Sequence, residues 1–83
     1  MKVRVKLFAS LASFSPQGGL PGTPFELELP SGATLNDLTQ YLQLPNEQIK
    51  VCFVNSRIQP PEYVLNDGDD VGIFPPIGGG YHV

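Results

Sequence analysis

The chain has no tryptophan and only one methionine, one histidine and one cysteine in 83 residues. A lone Cys52 excludes an internal disulfide and a cysteine-built metal site, and no metal site is expected elsewhere. It suits a reducing compartment, so a cytoplasmic location is expected. No stretch approaches the roughly 20 apolar residues of a membrane span, and no apolar signal core follows Met1, so no membrane association is expected. Five basic side chains stand against eight acidic ones, a net charge of −3, with no basic run. That gives nucleic acid no purchase. The mild acidity instead suits a partner with a basic docking face. Length is also lacking. A chain this short makes one small domain with a modest core and no room for a deep cleft between lobes. The expectation is a binding or carrier module rather than an enzyme that forms its own active site.

Glycine and proline are plentiful, nine of each, and they punctuate the chain. From Met1 to Phe8, Val3, Val5 and Leu7 alternate with Lys2, Arg4 and Lys6, the period-two pattern of a half-buried strand. Ala9 to Thr23 is rich in Ser, Pro and Gly and reads as a loop, with a short helical turn near Ser10 to Phe14. Phe25, Leu27 and Leu29 then alternate with Glu26 and Glu28. A basic outer face on the first strand and an acidic one on the second favour an antiparallel hairpin with charges paired across it.

Thr34 occupies an N-cap position with Asp37 three residues on, a short capping box. Leu35, Leu38 and Leu42 follow as one apolar stripe, with Tyr41 beside them, on a helix of about ten residues that Pro45 ends. Val51 to Val54 is apolar at every position, as in a strand covered on both faces. Asn55-Ser56 is a turn, and Arg57 to Gln59 a short edge strand limited by Pro60-Pro61. Leu65 to Asp70 reads as a solvated polar turn around Asp67-Gly68. Asp67, Asp69 and Asp70 lack the spacing and closing Glu of a calcium loop. Val71 to Phe74 is the last strand. The order implies an α+β fold, one main helix across a mixed sheet of four to five strands. Residues 1–76 form the domain and residues 77–83 a flexible C-terminal tail.

That tail, after Pro75-Pro76, is Ile77-Gly78-Gly79-Gly80-Tyr81-His82-Val83. Proline stops the strand and stiffens the exit; three glycines make a thin arm that a narrow channel can admit. Such an arm presents its own C-terminus.

The residues resemble the MoaD/ThiS sulfur-carrier family of ubiquitin-like, β-grasp proteins. The likeness rests on Val3-Arg4-Val5-Lys6-Leu7-Phe8-Ala9, Thr34-Leu35-Asn36-Asp37-Leu38, Val54-Asn55 and Leu65-Asn66-Asp67-Gly68-Asp69-Asp70-Val71. The run Phe74-Pro75-Pro76-Ile77-Gly78-Gly79-Gly80 completes it and is closest to the small subunit of molybdopterin synthase. The resemblance implies a β-grasp fold and a carrier, not an enzyme. It implies that the carboxylate of Gly80 is adenylated by a ubiquitin-activating-like adenylyltransferase of the MoeB/ThiF type, using ATP and Mg, with no cofactor bound to the carrier itself. The acyl-adenylate becomes a thiocarboxylate, which donates sulfur in the large subunit of molybdopterin synthase or another acceptor enzyme. Molybdopterin (or tungstopterin) synthesis is the favoured pathway. A thiazole, amino-acid or secondary-metabolite pathway is the alternative, and a ubiquitin-like tagging or binding module is a second one. Gly79 and Gly78 form the slender approach to Gly80, and Phe8, Ile58 and Phe74 correspond to the family's partner-docking surface. Family members usually end at the glycine pair, so Tyr81-His82-Val83 marks a precursor trimmed by a JAMM-type protease. Outside the resemblance, His82 has no role beyond protease recognition, Cys52 is core packing, and Tyr41 and Tyr63 are packing residues.

Overall fold

The computed structural model describes residues 1–16 and 20–76. The tail residues Gly78, Gly79 and Gly80, and Tyr81-His82-Val83 after them, lie outside the described residues. The alternating segments become strands β1 (Lys2–Leu7) and β2 (Phe25–Glu28), paired antiparallel with Lys2 opposite Glu28 and Arg4 opposite Glu26. The charge complementarity is present but rearranged. Lys2 reaches the diagonal Glu26 at 3.9 Å, and the Met1 ammonium takes Glu28 at 3.0 Å. The Lys2–Glu26 pair is solvent-exposed and contributes little to stability. The alternation itself is what places Val3, Val5, Leu7, Phe25 and Leu27 in the core. Between the two strands, Ala9–Phe14 forms the short 3-10 helix expected near Ser10, with Leu11 and Ala12 buried.

Helix α1 (Leu35–Tyr41) shows how local sequence and distant chain cooperate. The backbone N–H groups of a first helical turn have no partner within the helix. Here Leu35 N–H donates to the Tyr63 carbonyl at 3.0 Å and Asn36 N–H to that of Pro61 at 2.9 Å. Asp37 N–H donates to Thr34 Oγ1 at 3.1 Å, while Thr34 N–H donates back to Asp37 Oδ2 at 3.0 Å, completing the capping box. Leu35, Leu38 and Leu42 are buried and pack with the strand residues in one core.

The helix is shorter than expected, and Pro45 does not end it. It closes in a Schellman motif: Gln43, at φ 60°, donates its N–H to the Gln40 carbonyl and Leu44 donates to that of Thr39. Leu44 is buried, the apolar contact that this motif usually carries. The short helix leaves Tyr41 on its solvent side, 62% exposed, so Tyr41 is not a packing residue, whereas Tyr63 does lie against the core.

Strands β3 (Val51–Val54), β4 (Arg57–Gln59) and β5 (Asp70–Phe74) complete a five-stranded sheet in the order β2-β1-β5-β3-β4. β5 runs parallel to β1 and antiparallel to β3, which makes it the central strand. The last strand thus lies in the middle of the sheet, not at its edge. β3 is also corrected. Cys52 and Val54 are buried, but Val51 and Phe53 are only half-buried, because helix and core cover one face alone.

The acidic turn is less solvated than its composition implies. Asp69 is 6% exposed and accepts from Asn55 Nδ2 at 2.9 Å and from the Asn66 N–H at 2.8 Å. Asp70 N–H donates to Asn55 Oδ1 at 3.0 Å. The network clamps the β3–β4 turn, where Asn55 and Ser56 both have positive φ, to the start of β5. Asp67 Oδ1 accepts from the Lys2 N–H at 2.7 Å. Among the described residues no group of three His, Cys, Asp or Glu side chains is arranged to hold a metal.

Two stability differences follow. Leu38→Ala should cost about 2–5 kcal/mol, whereas Tyr41→Ala should stay within about 0.5 kcal/mol of the parent, both by urea unfolding. Equal losses would contradict the placement of Tyr41. Gln43→Gly should add about 0.5–1 kcal/mol by relieving a left-handed conformation that only glycine adopts freely. A lower unfolding midpoint would refute the Schellman assignment.

Candidate functional site

Alternation along the central strand sends Val71 and Ile73 into the core and leaves Gly72 and Phe74 on the opposite face of the sheet. Parallel pairing with β1 then sets Phe8 beside Phe74, with Phe8 N–H donating to the Ile73 carbonyl at 3.1 Å. The two rings stack with centroids 4.1 Å apart and planes 3° from parallel. Phe53, from β3, meets Phe74 edge-on at 5.5 Å and 75°. Ile58 pairs with Phe53 across the β3–β4 hairpin and is 65% exposed. Phe8, Phe74 and Ile58, distant in sequence, thus lie on one outward face, at the exit of the last strand. Each aromatic contact contributes about 0.5–1.5 kcal/mol beyond area burial, so the patch is braced from within.

Two glycines border the Phe8 ring. A Cβ on Gly72 would lie 3.4 Å from Phe8 Cε2, and one on Gly22 would lie 3.3 Å from Phe8 Cε1. Gly22 also sits at φ +80°, where it donates its N–H to the Leu7 carbonyl at 2.9 Å. The Phe8 ring rests between them, and a shallow pocket of about 300 Å³ opens over Gly72. Phe8, Phe74 and Phe53 form its walls; Lys6, Asp70 and Ser56 line it with polar groups. Phe53 was not anticipated as part of any surface. In an uninterrupted apolar run nothing marks the outward positions. In the structure Phe53 faces a glycine, Gly72, across the ladder.

A second hollow, about 530 Å³, lies between α1 and the β3–β4 hairpin, and Cys52 reaches its wall. Burial pushes the Cys52 thiol up from its ordinary value, and the residue is 9% exposed within the core cluster. The thiol is therefore kept in its unreactive protonated form, as packing requires. A thiol reagent at about pH 8 should label the native chain at least tenfold more slowly than the urea-unfolded chain. Equal rates would show that Cys52 is open to solvent.

The geometry can be set beside known proteins. A sequence profile described as the ThiS family matches residues 5–80. No curated protein matches the sequence significantly. Among solved structures, a Pyrococcus furiosus protein described as molybdopterin converting factor, subunit 1, superposes with a TM-score of 0.71 at 30% identity, covering 93% of this chain and 99% of that one. Haloferax volcanii SAMP1 gives 0.71 at 21% identity, over 96% and 100% of the two chains. A complex of subunits 1 and 2 of molybdopterin-converting factor from Helicobacter pylori gives 0.60 at 22%, over 96% and 100%. The last two show a shared fold. With a family match along nearly its whole length and a ubiquitin-like β-grasp of one helix over a mixed sheet, the chain belongs to the ThiS family of small carrier proteins.

Proposed function

We propose that this protein is a sulfur carrier that acts through the C-terminal carboxylate of Gly80. The observation that carries the reading is the extent of the family match, which runs to Gly80 and leaves Tyr81-His82-Val83 beyond it. In this reading the three extra residues are removed first, by a protease of the JAMM type. A MoeB/ThiF-type adenylyltransferase then attacks the α-phosphate of MgATP with the Gly80 carboxylate, forming a carboxyl–AMP anhydride and releasing pyrophosphate. Sulfur delivered as hydrosulfide attacks the acyl carbon and displaces AMP, leaving a thiocarboxylate. The carboxylate is a poor electrophile until AMP becomes its leaving group, and the partner must align it with ATP and keep water away. Gly78 and Gly79 carry no side chains to obstruct that approach. The carrier itself binds no cofactor and supplies no catalytic side chain.

The aromatic face formed by Phe8, Phe74 and Phe53 with Ile58 is the docking surface in this scheme. It stands at the end of the strand that leads into the tail, so a partner seated there is correctly placed to receive Gly80. Exposed, well-braced aromatics are the residues on which interface energy concentrates. The favoured acceptor is the large subunit of a molybdopterin synthase, supported by the 30% identity to the Pyrococcus furiosus converting-factor subunit. Action in the cytoplasm agrees with that chemistry. The fold likeness to SAMP1 keeps protein modification through Gly80 as a second reading.

The intact mass of the protein isolated from its own cells tests the scheme. A species ending at Gly80, with or without one oxygen replaced by sulfur, is expected; full-length chain alone would overturn it. Deleting Gly79-Gly80 from the trimmed form should abolish ATP–pyrophosphate exchange by the adenylyltransferase while leaving the unfolding midpoint unchanged. Undiminished exchange would refute the role of Gly80. Gly-Gly remnants on lysines of other proteins would instead favour the modifier reading.

A further inference from the structure

The pocket over Gly72 has a chemistry more particular than an apolar docking face requires. Its walls are the Phe8–Phe74 stack and Phe53, and Asp70 stands at its margin. The Asp70 carboxylate is 45% exposed, and its ion-pair partner among the described residues is Lys6 Nζ at 3.8 Å, with Lys6 itself 36% exposed. That separation is too long for a hydrogen bond, so the carboxylate oxygens keep open acceptor positions. The pair is a loose, half-solvated one that costs little to give up.

We propose that this pocket receives an arginine side chain from the adenylating partner, with the guanidinium against the phenylalanine rings and its N–H groups on Asp70. The inference rests on the carrier reading above and names the group that the docking face recognises. The choice of arginine follows from the two demands of the pocket. An apolar side chain seated there would cover Asp70 and take water from its oxygens without replacing the lost hydrogen bonds. Lysine would answer the charge, but its compact, strongly hydrated ammonium has no flat surface to lie along the rings. A guanidinium is planar and weakly hydrated; it stacks on aromatic faces and offers a fork of donors that matches a carboxylate. A chain with net charge −3 also favours a partner that presents a cation. Lys6 becomes a placeholder, pairing with Asp70 in the free protein and turning to solvent when the arginine arrives.

The placeholder role separates this from a purely apolar contact, because it requires opposite effects from the two members of one ion pair. The chain ending at Gly80, the form on which the adenylyltransferase acts in this scheme, is titrated into the MoeB/ThiF-type adenylyltransferase of the same organism by calorimetry. Asp70→Asn should raise Kd about tenfold, the loss of a charged hydrogen bond. Lys6→Ala should lower Kd about two- to threefold by removing the competitor. Phe53→Leu, which keeps an apolar wall but no ring face, should raise Kd severalfold. If Asp70→Asn and Lys6→Ala shift Kd in the same direction, or neither shifts it, the arginine pocket is wrong while the carrier reading stands. If Asp70→Asn unfolds the chain, Lys6→Ala decides: tighter binding supports the pocket, and unchanged or weaker binding overturns it. If the parent chain shows no binding to the adenylyltransferase, both the pocket and the carrier reading fail.

Discussion

The parallel ladder between β1 and β5 is the constraint on which the rest of this protein depends. It joins the two ends of the chain, Arg4 against Asp70 and Leu7 against Ile73, at the centre of the sheet. Without it the core loses the layer made by Val3, Val5, Leu7, Val71 and Ile73, all essentially inaccessible to solvent. The same ladder brings Phe8 over Gly72 and against Phe74, so the outward aromatic surface and the inward core come from a single pairing read from its two sides. Pairing segments this far apart in sequence carries a loop-closure entropy that the buried core must offset.

The supporting devices all hold that ladder in register. The Asn55–Asp69 network fixes where β5 begins relative to the β3–β4 turn, and Asp67 ties the same loop to the first residue of β1. A one-residue slip would turn Phe74 inward and Ile73 outward. Burying an uncharged-partner carboxylate such as Asp69 is tolerable because two good donors replace the water it loses. Register, and with it the composition of the outer face, is thereby set by a few polar contacts at one end of the sheet.

Much of this was legible in the sequence, and the exceptions have physical reasons. The strands β1 and β2 announce themselves because one face is wet and the other dry, and the alternation records it. The helix start is visible in Thr34 and Asp37, since capping uses side chains. Its end is not, because a Schellman turn usually shows itself by glycine and here Gln43 holds that conformation. Asp69 looks solvated because a turn with three aspartates gives no sign of which one the fold covers. Phe53 is hidden by its neighbours: in Val51 to Val54 no polar residue distinguishes the outer face. Phe8, Phe74 and Ile58 could be grouped from family resemblance, but only the sheet order shows why they meet.

Central placement of β5 also has a mechanical meaning. The strand is clamped by ladders on both flanks, and its final carbonyl, that of Phe74, accepts from the Lys50 N–H at 2.8 Å. A load directed along the axis of β5 would act on both rows of hydrogen bonds at once, in shear, instead of opening them one at a time like a zipper. The last described strand is thus rooted in the middle of the sheet, held by a neighbour on each side.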